Sequence, residues 1–141
     1  MKREHVRLRA LIEERIALQA RSAPSMVFVV TIPDDATAEV DRDDLTRILD
    51  NLLSNAVEVT VGGGRVEITF ARPGALRFTD DGPGVSEAVA GTLFDPFVST
   101  KAEGLGLGLW LSRTLAEASG GALDHEGPSA FVLTLRNGAA A

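Results

Sequence analysis

Asp43-Asp44-Leu45-Thr46-Arg47-Ile48-Leu49-Asp50-Asn51-Leu52-Leu53-Ser54-Asn55-Ala56-Val57-Glu58-Val59-Thr60 is the stretch from which the rest of the chain can be placed. Leu45, Ile48, Leu49, Leu52, Leu53 and Ala56 recur at three- and four-residue intervals, the period of a helix with one apolar face. Asp43 suits the N-cap, Asp44 suits the positive end of the helix dipole, and Gly62-Gly63-Gly64 marks a turn beyond Thr60. Asn51, Asn55 and Glu58 share another face of the same helix. Two carboxamides beside an apolar stripe need partners, because a buried amide left unsatisfied costs about 1–3 kcal/mol. Backbone or water can supply them, and so can a ligand or a metal. An Asn carbonyl is a hard oxygen donor suited to Mg²⁺, which takes few protein ligands and completes its shell with water and phosphate oxygens.

Upstream, Leu8, Leu11, Ile12 and Ile16 predict an amphipathic, locally basic helix over residues 1–22, and Pro24 stops it. Met26–Ile32 predicts a strand closed by Pro33-Asp34-Asp35, and Glu39–Asp41 a short second one. Downstream, Arg65–Ala71 and Ala75–Thr79 flank Arg72-Pro73-Gly74 as a hairpin. Residues 81–105 carry glycines but no regular period. A second helix is predicted from about Gly106 to Ala118, stopped by Gly120-Gly121, followed by strands at Ala122–His125 and Ala130–Arg136. This order predicts an α/β fold, a two-layer sandwich with helices on one face of a mixed sheet. The expected divisions are a helix or linker over 1–24, a catalytic domain over 25–137 and a tail over 138–141.

Composition narrows the function. The chain has 141 residues, enough for one ordinary domain, and is 45% hydrophobic and 24% charged. Its net charge of −6 argues against coating nucleic acid. The absence of cysteine excludes disulfides, thiolate metal sites and a cysteine nucleophile. The longest apolar run, Met26–Val30, is far short of the roughly 20 residues a membrane helix needs, so the segment is expected to be soluble without membrane contact.

Three further segments can carry chemistry. In Thr79-Asp80-Asp81-Gly82-Pro83-Gly84-Val85 an acid at a strand end precedes glycines that let the backbone turn sharply. Such a carboxylate can accept a hydrogen bond from an exocyclic amine, and the same residues also make a plain Asp-Gly turn. Glu103-Gly104-Leu105-Gly106-Leu107-Gly108-Leu109 runs into a helix, where free backbone N–H groups bind phosphate; a flexible hinge is the other reading. Its spacing fits neither the dinucleotide fingerprint nor the P-loop. Between them, Phe94 and Phe97 can anchor a lid, and Lys101 can place charge against a polyphosphate.

Taken together, Asn51–Ala56, Asp80–Val85, Phe94-Asp95-Pro96-Phe97 and Gly104–Leu109 resemble the N box, first glycine box, F box and second glycine box of bacterial sensor histidine kinases, in that family's order. The resemblance covers roughly residues 26–136, and the lid region is especially similar to kinases of nitrogen and dicarboxylate regulation. It implies the Bergerat fold of the GHKL superfamily and the cofactors ATP and Mg²⁺. It further implies Asn55 as the Mg²⁺ ligand with Asn51 beside it, and Asp80 on the adenine amine. By the same resemblance Gly82, Gly84 and Val85 are expected to shape the base pocket, with Ser129 near the adenine. The resemblance also implies that Phe94, Phe97, Thr100 and Lys101 belong to the lid, and Gly104, Leu105, Gly106, Leu107, Gly108 and Leu109 to the phosphate-binding segment. Lid residues 86–104 are expected to order on nucleotide binding.

Two departures bear on activity. Glu58 stands where many members of that family carry a basic residue near the phosphates, so it receives no phosphate-binding role. Neither His5 nor His125 lies in a phosphoacceptor motif of the type His-Glu-Leu-Arg-x-Pro. No catalytic residue is therefore assigned in this chain. The resemblance implies the catalytic part of a protein histidine kinase, serving a separate phosphoacceptor (dimerisation) domain and, through it, a response regulator. A cytoplasmic monomer is expected, as a segment of a parent protein that can itself be membrane-anchored. A chaperone-type ATPase is disfavoured, because Asn51 stands where such enzymes place a glutamate base. The alternatives are an anti-sigma-type serine kinase and a non-catalytic nucleotide-binding module.

Overall fold

The computed structural model describes residues 2–60, 63–82, 94–95, 108–127 and 129–137. The described elements are β1 (Arg3–Arg7), α1 (Leu8–Ser22), β2 (Met26–Thr31), β3 (Thr37–Asp41), α2 (Arg42–Val59), β4 (Gly64–Arg72), β5 (Ala75–Asp80), α3 (Gly108–Ala118), β6 (Ala122–Glu126), β7 (Ala130–Thr134) and β8 (Arg136–Asn137). Five strands form a mixed sheet in the order β2-β4-β5-β7-β6, with β2 parallel to β4 and the other pairs antiparallel. The parallel pair requires a crossover, which α2 supplies. Helices back this sheet in a two-layer α/β arrangement, as the periodicity predicts.

Alternation within the strands decides which face is covered. Val66 and Ile68 of β4, Leu76 and Phe78 of β5, Phe131 and Leu133 of β7 and Leu123 of β6 are buried in one core with Leu45, Ile48, Leu49, Leu52, Leu53 and Ala56 of α2. Val6, Leu8, Leu11 and Ile12 join the same core. The Arg15 guanidinium makes a two-pronged contact with Asp50, both bonds 2.8 Å, tying α1 to α2.

Three sequence-based expectations are corrected here. Residues 1–22 are not all helical: Arg3–Arg7 is a strand, paired antiparallel with β3 from Arg3 opposite Asp41 to Arg7 opposite Thr37. Burying Val6 in this ladder outweighs local helix periodicity, and the Leu8 N–H bonds the Ala36 carbonyl where α1 begins. The cap of α2 is Asp41, not Asp43: its side chain accepts from Asp44 N at 3.1 Å and from Lys2 N at 2.8 Å. These N–H groups, Lys2 first, hold the Asp41 carboxyl below its ordinary pKa. Finally, Ala130–Arg136 is not one strand. At the buried Leu135, whose N–H bonds Gly74 O, the chain leaves the large sheet, and β8 joins a second, three-stranded sheet of order β1-β3-β8.

The predicted stop after α3 is present. Gly120 has φ +83°, Gly121 N bonds Ala116 O and Gly120 N bonds Glu117 O, the paired bonds of a left-handed helix cap. The hairpin turn has Gly74 at φ +84°. Among the described residues no helix is long and apolar enough to cross a membrane.

Candidate nucleotide site

The apolar stripe of α2 faces the core, leaving Asn51, Asn55 and Val59 in a row spaced by one turn, about 6 Å per step along the axis. At the Asn51 end, its Nδ2 donates to the Ser112 hydroxyl at 3.1 Å and to the Gly108 carbonyl at 3.3 Å. Ser112 is fully buried, so this amide joins the start of α3 to the middle of α2. At the Val59 end stands Gly82. A Cβ there would lie 2.9 Å from Asp80 Oδ1 and 3.0 Å from both Val59 Cγ2 and Val59 O, so only glycine lets the turn after β5 approach the helix end.

Asp80 closes this end. Its Oδ1 accepts from Gly82 N at 2.9 Å, its own N–H bonds Ser129 O at 3.2 Å, and the Ser129 hydroxyl donates to Gly82 O at 3.4 Å. Burial pushes the Asp80 carboxyl above its ordinary pKa and the Asp81 charge adds to this, while the Gly82 N–H and His125 pull the other way. Asp81 is occupied structurally, accepting from Arg65 N at 3.0 Å and donating its N–H to Arg65 O at 3.3 Å.

Asn55 lies midway, half-buried, and its side chain has no hydrogen-bond partner among the described residues. Asn51, Gly108, Asn55, Gly82, Asp80 and Ser129 are thus brought to one side of α2, over about 12 Å of helix. A single hard carbonyl oxygen fits an ion that draws its other ligands from water and phosphate, so Asn55 suits Mg²⁺. No cluster of three acidic, His or Cys side chains competes for that role among the described residues.

Phe94 meets Phe131 edge-on, ring centres 6.1 Å apart, under the Arg113 guanidinium at 4.5 Å. Leu109 is half-buried against the core. Gly84, Val85, Phe97, Thr100, Lys101, Gly104, Leu105, Gly106 and Leu107 lie outside the described residues, as does most of the expected lid over 86–104. Sequence reasoning missed the site-adjacent roles of Ser112, Arg113 and His125. His125 stacks edge-on against Phe131 at 5.2 Å, and its place two residues after the buried Leu123 was a legible strand-period signal.

Residues 40–138 match the family described as Histidine kinase-, DNA gyrase B-, and HSP90-like ATPase. The C4-dicarboxylate transport sensor protein DctS of Rhodobacter capsulatus is 42% identical over 109 residues, covering 69% of this chain and 16% of that protein. This chain therefore spans about a sixth of the length of that relative. The nucleotide-free catalytic domain of the histidine kinase ThkA superposes with a TM-score of 0.81 at 27% identity, covering 97% of this chain and 99% of that one. Full-length ShkA, solved in complex with AMPPNP, gives a TM-score of 0.75 at 26% identity over 99% of this chain and 32% of that one.

Proposed function

Because the chain belongs to the histidine kinase-, DNA gyrase B- and HSP90-like ATPase family, an ATP-binding family, we propose that it is the part of a sensor histidine kinase that presents Mg·ATP to a phosphoacceptor histidine. The observation that carries this reading is the α2 row, with Asn55 standing between the Gly82–Asp80 corner and the Gly108 end of α3. Residues 25–137 form the nucleotide-binding region in this reading, with 1–24 packed against it and 138–141 a tail.

The residues divide the work. Asp80 accepts from the adenine amine, and the Gly82 turn admits the base edge beside it. Asn51 fixes the start of α3, and in this reading the N–H groups of the Gly104–Gly108 segment and the charge of Lys101 serve the phosphates. Mg²⁺ on Asn55 neutralises phosphate charge when bound. In the transfer, the bond from the γ-phosphorus to its bridging oxygen breaks as a bond to an imidazole nitrogen forms. ADP leaves with the bridging oxygen, and the histidine belongs to a separate domain. Asn51 has no carboxylate to take a proton from water, which disfavours uncoupled hydrolysis. His125, stacked on Phe131 at the base end, is poorly placed to receive the phosphoryl group. A response regulator as final recipient, a monomeric state, a cytoplasmic setting and the lack of nucleic-acid or membrane contact complete the proposal.

The test is calorimetric titration with Mg·ATP and Mg·GTP, followed by addition of a separate histidine-bearing domain. Selective binding of Mg·ATP and acid-labile phosphate on the added domain are expected. Binding without transfer to the histidine domain of the parent protein would overturn the kinase assignment.

A further inference from the structure

We propose that Arg113 is a positioning residue for the nucleotide site, acting through Phe94. The inference rests on the nucleotide reading above. Arg113 lies in the second turn of α3, the helix whose first residue, Gly108, is held by Asn51. Its guanidinium carbon stands 4.5 Å over the Phe94 ring, close enough for a cation–π contact. Two carboxylates orient it from different elements, Glu117 of α3 and Asp124 of β6, each at 3.8 Å. At that separation neither is a tight ion pair, so the guanidinium is steered onto the ring and not drawn away from it.

Phe94 in turn leans edge-on against Phe131, which is buried in β7 two residues after Ser129. Ser129 O takes the Asp80 N–H. One side chain thereby spans the two halves of the site: α3, which carries the phosphate end, and the aromatic contact beside the adenine end. Phe94 is held from both sides, by the Phe131 edge and by the cation. Releasing it removes an ordering that the nucleotide otherwise finds already made, so the expected loss appears in affinity.

The experiment compares Mg·ATP dissociation constants for the wild type, Arg113→Gln, Arg113→Lys, Phe94→Leu and the double variant Arg113→Gln/Phe94→Leu. Quenching of Trp110, the only tryptophan, supplies the signal, with calorimetry as a second readout. Arg113→Gln should weaken binding by about two- to fivefold, the range of an exposed cation–π contact. Arg113→Lys should restore most of it, and the Gln substitution should add almost nothing in the Phe94→Leu background. The melting temperature without nucleotide should not follow this pattern. Wild-type binding that Arg113→Gln leaves unchanged overturns the inference alone, as does an equal loss with and without Phe94. A wild type that binds no Mg·ATP overturns the nucleotide reading, and the inference falls with it.

Discussion

Replacing Asp80 with Asn exchanges one acceptor for a donor in a place where the structure dictates which atom changes. Oδ1 already accepts from Gly82 N at 2.9 Å, so the amide oxygen stays on that N–H and the new NH₂ takes the outward position. An adenine amine would then meet a donor. A hydrogen bond to a charged group contributes about 1.5–3 kcal/mol, so Mg·ATP affinity should fall about 10- to 150-fold. Guanine presents a carbonyl oxygen at the corresponding position, and Mg·GTP should bind better than before. Calorimetry of both nucleotides against both proteins reads the ratio. A preference for ATP over GTP that stays within about twofold of the wild type would refute the assignment of Asp80. A second signature comes from protonation. Burial raises the Asp80 pKa in the folded protein, so its ionised form opposes folding, and the stability it withholds is regained as pH falls through that raised value. Asp80→Asn should therefore raise the melting temperature of the nucleotide-free protein at neutral pH, with a gain that shrinks on acidification.

Asn55→Ala should abolish the Mg²⁺ dependence of ATP binding while leaving the circular dichroism spectrum and melting temperature nearly unchanged, since no described residue bonds its side chain. A chain starting at residue 25 should fail to fold, as a calorimetric melt will show. It loses Val6, Leu8, Leu11 and Ile12, each buried side chain contributing about 1.5–3 kcal/mol against a whole-domain stability of about 5–15 kcal/mol. Asp41→Ala should lower the melting temperature at neutral pH by removing the cap of α2. Its carboxyl pKa is depressed by folding, so the stability it supplies is present above the unfolded value and lost as pH falls through the folded one. The difference between wild type and Asp41→Ala should accordingly narrow in acid.

The candidate site was legible to the extent that its parts are local. The row Asn51, Asn55 and Glu58 follows from helix period alone, and the glycine segments declare themselves by composition. What occupies Asn51 was not legible, because Ser112 lies 61 residues away and its hydroxyl is one of many polar groups the amide can reach. Arg113 over Phe94 was equally hidden: a charged residue on an exposed helix face reads as solvated until the ring beneath it is placed.

By itself the sequence determined the helix α2 and its apolar stripe, the hairpin, the glycine stop after α3 and the set of motifs that belong to a nucleotide site. Each is settled by residues within a few turns of one another. Only the tertiary structure decided that Arg3–Arg7 is a strand opposite Thr37–Asp41, that Asp41 and not Asp43 caps α2, and that the chain changes sheets at Leu135 to pair Arg136 with Glu39. Those choices depend on partners tens of residues away, and the free energy of burying Val6 and Leu135 exceeds the weak local preferences that favour other conformations.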